Sequence, residues 1–172
     1  MKVRRQLESI EPLVLEMTKS LRPEEWQRAP GSKWSIAQVV GHLAISTDII
    51  ATRFEERADR TDMARRATPK QQLLRHLALG VGKLPSPRKI PPEARPPENP
   101  DPELVTAQFR MAIQRLQAMI EQWPTERQER VFVAHPILGD LNLPEWVRFF
   151  YLHCRFAAHK IRVRTRWLRR AS

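Results

Sequence analysis

Residues 146–162 read Trp-Val-Arg-Phe-Phe-Tyr-Leu-His-Cys-Arg-Phe-Ala-Ala-His-Lys-Ile-Arg. This stretch combines two histidines, the single cysteine of the chain and a dense run of aromatic residues. At about 100° per residue, a helix brings several of these side chains onto one face. They are Trp146, Phe149, Phe150, His153, Phe156 and Ala157. The pattern predicts an amphipathic helix in which the imidazole of His153 points into the same interior as the aromatic rings.

Outward from this stretch, apolar residues recur at intervals of three and four in three other long segments. These segments span residues 2–21, 36–57 and 102–123, and the spacing predicts a helix in each. Pro12 either kinks the first helix or lies in its first turn. A shorter apolar pattern at 69–82 predicts one extra helix.

The helix that follows Ser35 has the clearest local signal in the chain. Ser35 and Gln38 have the spacing of a capping box, and Trp34 and Val39 have that of a hydrophobic staple. The apolar sector of this helix is wide, which indicates contact with two neighbouring helices.

Eight of the fifteen prolines fall within residues 85–102. Such density excludes a helix or an interior strand and predicts an extended surface loop over 85–101. We expect a crossover that lies on the helices, and a PxxP-type ligand role is the alternative. No strand is predicted, because Val131-Phe-Val is too short to argue for a sheet. The predicted fold is therefore all-α: a single domain over 1–172 that forms an antiparallel four-helix bundle, with a short extra helix and a long proline-rich crossover loop.

Composition narrows the class of protein. One cysteine excludes an intramolecular disulfide framework. No apolar run approaches the roughly 18–20 residues that span a bilayer, and the charged start lacks the apolar core of a secretory signal. We therefore expect a cytoplasmic, bacterial-type protein without a membrane segment.

The formal net charge is +11, and residues 151–172 contain no acidic residue. Arginine exceeds lysine throughout the chain, so a solvated basic helix face is favoured over nucleic-acid binding, although contact with an anionic partner stays open. The basic residues of this segment are Arg155, Lys160, Arg162, Arg164, Arg166, Arg169 and Arg170.

Three motifs together resemble one family. Residues 34–43, Trp-Ser-Ile-Ala-Gln-Val-Val-Gly-His-Leu, resemble the Trp-Ser-x-x-(Glu/Gln)-x-x-x-His-Leu signature of the DinB-like helical-bundle superfamily, which includes bacillithiol-transferase-like proteins. Residues 135–146 resemble the loop before the last helix in that family. The segment that begins at His153 resembles its closing helix, so the resemblance covers nearly the whole chain.

The resemblance implies a divalent metal site. In the family, zinc or nickel is typically held by three histidines, one from the second helix and two from the last with i, i+4 spacing. His42 matches the first ligand and His153 the second. Ala157 stands where the third ligand is expected, so the triad of this chain is incomplete.

No other residue replaces the third ligand by spacing alone. His159 lies six residues after His153, about 120° around the helix and about 9 Å along its axis, so the two cannot chelate one ion from a regular helix. Other candidates for the third position are Cys154, His135, Asp48 and Glu55.

Two functions follow as expectations. The resemblance implies a metal-dependent thiol transferase, which would take a low-molecular-weight thiol and a small-molecule substrate, or a degenerate relative of such an enzyme. The alternative is a non-enzymatic binding module that contacts an anionic partner through its basic C-terminal helix. A homodimer is compatible with either function.

Overall fold

A computed structural model describes residues 2–59, 67–84 and 90–170 of the chain. The α-helices are α1 (Lys2–Leu15), α2 (Pro23–Gln27), α3 (Ile36–Glu55), α4 (Pro69–Arg75), α5 (Pro102–Gln122), α6 (Thr125–Arg130) and α7 (Leu143–Arg170). A π-helical turn (His76–Val81), a 3-10 turn (Pro92–Ala94) and two strands, β1 (Phe132–His135) and β2 (Gly139–Asn142), complete the described elements.

The four long helices form a bundle, as the sequence predicts. Helix α5 packs against both α1 and α3, and α7 packs against the same two helices from the other side. Each long helix therefore buries its apolar face against two neighbours, which is the arrangement that a four-helix bundle requires.

The helix directions follow from side-chain pairs between neighbours. Arg4 pairs with Glu121 and Arg110 with Glu11, so the beginning of α1 lies beside the end of α5. These two helices are antiparallel.

Helices α3 and α5 run in the same direction, so the antiparallel arrangement that the sequence predicts for the bundle does not extend to this pair. A Cβ on Gly41 would lie 3.3 Å from the side chain of Val105, near the start of both helices, and Thr52 accepts a hydrogen bond from Arg115 further along. Parallel neighbours need a connection that returns along the bundle, which explains the long crossover between α3 and α5. Its described part lies on α3, where a Cβ on Gly41 would also approach Pro96 to 3.3 Å.

The predicted capping box at the start of α3 is confirmed. The amide of Gln38 donates to the Ser35 hydroxyl at 3.1 Å, and the Ser35 amide donates to the Gln38 side chain at 2.9 Å. The wide apolar sector of α3 is buried between α5 and α7.

Helix α1 contains Pro12 near its C-terminal end, and the helix stops at Leu15. The alternative in which proline lies in the first turn is therefore excluded. The predicted short helix is α4, which continues into the π-helical turn and ends at Gly82, whose φ of +81° suits glycine.

The prediction that the chain has no strand was wrong for residues 132–142. Strands β1 and β2 form an antiparallel hairpin that pairs Phe132 with Asn142 and His135 with Gly139. The indole of Trp146 donates to the carbonyl of Val133 at 3.0 Å. A hairpin this short is marginal by itself, and its packing on α7 stabilises it, so its own sequence carries little signal.

Helix α7 begins as predicted. The amide of Glu145 donates to the Asn142 side chain and the Asn142 amide donates to the Glu145 carboxylate, each at 3.1 Å. The helix is regular over its 28 residues, and no helix within the described ranges is apolar enough over 18 residues to cross a bilayer. One predicted core residue is misplaced: Phe156 is 48% exposed, so it lies on a sector of α7 that none of the described helices covers.

Candidate functional site

His42 on α3 and His153 on α7 face each other across the bundle. Their ring centroids are 5.4 Å apart, with an interplanar angle of 70°. Two imidazoles that bind one zinc ion at about 2.1 Å in tetrahedral geometry have centroids about 5 Å apart. The spacing therefore fits two ligands of one ion.

The crossover loop orients His42. Its Nδ1 lies 2.7 Å from the carbonyl oxygen of Ala94, so Nδ1–H donates to this acceptor and Nε2 carries the lone pair. Hydrogen bonds of this kind orient metal-binding histidines. Burial lowers the pKa of His42, the hydrogen bond to Ala94 opposes this effect, and the charge of Lys160 adds to it.

His153 is neutral and lacks a partner at one nitrogen. Within the described residues, its buried Nδ1 has no hydrogen-bond partner. Burial lowers the pKa of His153 to about 3, with smaller effects from the charges of His42, Lys160 and His135. A buried polar atom without a partner is uncommon in folded proteins and marks a position where a bound molecule can donate or accept a hydrogen bond.

His135 has a structural role at the turn between the strands. Its Nδ1 accepts hydrogen bonds from the amides of Ile137 and Leu138, each at 3.1 Å. Burial lowers the pKa of His135 to about 4, so the ring is neutral and its proton is on Nε2. Neither nitrogen then offers a free lone pair, and His135 does not supply the missing ligand.

The remaining candidates for a third ligand point elsewhere. Asp48 and Glu55 form ion pairs with Arg115 at the contact between α3 and α5. Cys154 is fully buried, and burial raises the pKa of its thiol, so it is an inert core residue. His159 is exposed, with its Nδ1 3.2 Å from the guanidinium of Arg162.

The residues present do not fit a resident catalytic metal ion. Within 2–59, 67–84 and 90–170, no three or more His, Cys, Asp or Glu side chains are grouped so that they could hold one. Ala157, at the expected third position, is buried and offers only a methyl group. Catalytic zinc usually has three protein ligands, whereas this site provides the two imidazoles of His42 and His153.

Two groups near the histidine pair were missed by sequence reasoning. The carbonyl of Ala94 contacts His42 although 52 residues separate them, and a main-chain oxygen has no sequence signal. Lys160 lowers the pKa of both His42 and His153. Lys160 follows His153 by seven residues, so the two lie on one side of α7. This spacing is the sequence pattern that could have indicated that Lys160 lies near the histidines.

Fold and site together define a four-helix-bundle protein with a histidine pair between its second and last long helices. The model of the DinB superfamily matches residues 6–156, and the chain belongs to this superfamily. No curated protein matches the chain.

A solved structure shares the fold. YfiT from Bacillus subtilis, described as a probable metal-dependent hydrolase with an unusual four-helix bundle topology, matches with a TM-score of 0.66. The match covers 97% of this chain and 86% of that chain at 16% identity. At this identity the likeness establishes a common fold and does not establish a common activity.

Proposed function

We propose that this chain is a degenerate DinB-like domain that binds a small molecule between α3 and α7 without a resident catalytic metal. The observation that carries the proposal is that alanine, which cannot bind a metal, occupies position 157. This buried methyl group lies where the family resemblance requires the third ligand, four residues after His153.

The histidine pair retains binding capacity without a metal. The hydrogen bond to the Ala94 carbonyl keeps the proton of His42 on Nδ1, so its Nε2 can accept a hydrogen bond from a ligand. His153 has a buried Nδ1 without a partner among the described residues. Both rings are kept neutral by burial. Neutral imidazoles recognise a ligand by hydrogen bonds, and the rings of Trp34 and Phe149 provide apolar contact.

The competing function is the transfer of a low-molecular-weight thiol with zinc or nickel as cofactor, which the family resemblance implies. A metal ion in this site would need at least one donor besides these two imidazoles, because the two histidines leave the ligand set incomplete. The two functions therefore differ in a measurable quantity, which is the metal content of the protein.

Metal analysis tests the proposal. Protein without a histidine tag would be incubated with zinc or nickel, dialysed and measured by elemental analysis. We expect less than about a tenth of an equivalent, since two imidazoles bind weakly. One retained equivalent that is lost in the His42→Gln variant would overturn the proposal and support metal-dependent transfer.

A second candidate function rests on the outer face of α7. Phe156, Val163 and Trp167 are 48%, 49% and 37% exposed, and they share one side of the helix at spacings of seven and four. Exposed arginines flank this side, and the chain has no acidic residue after Glu145. A basic surface with exposed aromatic rings suits a polyanionic partner.

Salt dependence tests this second function. Binding to single-stranded or duplex DNA should weaken steeply between about 50 and 200 mM salt. A variant that replaces Arg162 and Arg166 with glutamine should bind more weakly than one that replaces Arg4 and Arg110 on the opposite side of the bundle. If the unmodified chain fails to retard either DNA at low salt, a role in nucleic-acid binding is removed.

A further inference from the structure

Arg164 is a buried arginine with an unpaired donor. Its side chain lies on α7 and the residue is 8% exposed, and its Nε is buried without a hydrogen-bond partner among the described residues. Burial lowers the pKa of Arg164, and no carboxylate in the described part of the chain opposes the effect. Arginine is rarely buried in proteins unless an anion pairs with it.

A second cation lies one turn away. Lys160 precedes Arg164 by four residues, so the two side chains are neighbours on α7. Burial, followed by the charge of Arg164, lowers the pKa of Lys160, again with no compensating carboxylate within 2–59, 67–84 and 90–170. The ammonium lies 4.5 Å from the ring centroid of Phe156, and Lys160 keeps access to solvent. Two like charges are thus held together, and no acidic side chain that the structure describes pairs with them.

Lys160, the nearer of these two cations, lies close to the histidine pair. The charge of Lys160 lowers the pKa of both His42 and His153, which requires the ammonium to lie near both rings. His153, Lys160 and Arg164 share one side of α7, over about 16 Å of helix. Side chains on a helix lean toward its N-terminus, so Lys160 and Arg164 lean toward His153.

We propose that Lys160 and Arg164 form a subsite for the carboxylate or phosphate group of a small organic anion whose apolar part extends toward His42 and His153. This subsite deepens the proposed function, on which it rests, because it defines the charge of the ligand. The anion pairs with the buried guanidinium of Arg164, and its negative charge offsets the repulsion between Arg164 and Lys160.

Matched probes test the subsite. Benzoate and inorganic phosphate carry the required charge, and benzamide is a neutral molecule of nearly the same shape as benzoate. Calorimetric titration of the unmodified chain should detect both anions more strongly than benzamide. A dissociation constant of about 10 mM is the weakest affinity expected for a single charged contact. If neither anion shows binding at this concentration, the subsite is overturned.

Substitutions then locate the binding. Arg164→Met should weaken benzoate binding at least tenfold, and Lys160→Gln about threefold to tenfold, because each removes one charge from the anion. The control is Arg162→Met, which removes the same charge from an exposed position of the same helix and should leave the affinity unchanged. Equal losses in Arg162→Met and Arg164→Met would indicate general attraction by a basic helix and overturn the subsite.

The melting temperature of the ligand-free variants separates binding from a structural role. Because the Nε of Arg164 is buried without a partner among the described residues, Arg164→Met should melt at or above the temperature of the unmodified chain. A clearly lower melting temperature would mean that the guanidinium stabilises the fold, which contradicts the proposal. Metal content decides the proposed function and benzoate affinity decides the subsite, so a failure of one is distinguishable from a failure of the other.

Discussion

His42 and His135 are both half-buried and near His153, yet their hydrogen bonds run in opposite directions. His42 donates from Nδ1 to the carbonyl of Ala94, whereas His135 accepts at Nδ1 from two backbone amides. The first arrangement leaves a lone pair on Nε2 for a ligand, and the second leaves only an N–H. The direction of one hydrogen bond thus separates a histidine with a nitrogen available to a ligand from a histidine that only stabilises a turn.

Restoring the missing ligand should produce the largest effect. We expect Ala157→His to raise zinc affinity at least a hundredfold, because it adds a third imidazole at i+4 from His153. Equilibrium dialysis against a zinc indicator measures the gain. Ala158→His is the matched control, since Ala158 is also buried but faces about 100° away.

The same variant tests the comparison between the histidines. Adding His42→Phe to Ala157→His should abolish the gain in zinc affinity, and adding His135→Phe should leave most of it. If His135→Phe abolishes the gain instead, His135 is a ligand and the assignment of its proton is wrong.

The stability of the fold should depend more strongly on His135 than on His42. We expect His135→Phe to lower the free energy of unfolding by about 2–3 kcal/mol, because the amides of Ile137 and Leu138 lose their acceptor. Chemical denaturation at pH 7 measures the change. A loss below about 0.5 kcal/mol would show that the turn does not depend on this ring.

The pH dependence of stability should report the same ring. An exposed histidine in the unfolded chain titrates near pH 6.5, while the pKa of folded His135 is about 4. Between these values the unfolded state binds more protons, so stability falls as the pH is lowered, by about 1 kcal/mol per pH unit from this residue. His135→Phe should reduce the decline between pH 6 and 4 by this amount, while His153, whose pKa is also lowered, keeps its own contribution. An unchanged slope would contradict the assignment.

The smallest expected effect on stability is at His42. His42→Phe removes one neutral hydrogen bond to the Ala94 carbonyl, which lies in a surface loop, so the loss should be about 1 kcal/mol or less. The same denaturation experiment measures it. A loss as large as that for His135→Phe would remove the distinction between the two histidines.

The parts of this molecule that follow from local pattern were predictable from the sequence. The apolar spacing gives the four long helices, and the capping residues Ser35 and Gln38 give the start of α3. The resemblance paired His42 with His153, and the structure brings their rings within contact distance. Each of these inferences depends either on residues within a single helix or on a sequence motif.

The rest depends on contacts between distant segments. The hairpin of β1 and β2 is stabilised by Trp146. Phe156 has the angular position of a core residue on α7, but no element in the described part of the chain covers it there. Arg164 looked like one member of a basic face, and only the packing of α7 reveals that it is buried. Periodicity gives the angle of a side chain, whereas burial depends on which helices surround it.

The bond between His42 and the Ala94 carbonyl also bears on how this site can diversify. A main-chain oxygen is present whatever residue occupies position 94, so the proton on His42 is fixed without demanding a particular side chain. Surface loops accept substitutions more readily than the helices they connect. Selection can therefore reshape the wall of the site through the crossover loop while the core and the orientation of His42 are inherited unchanged.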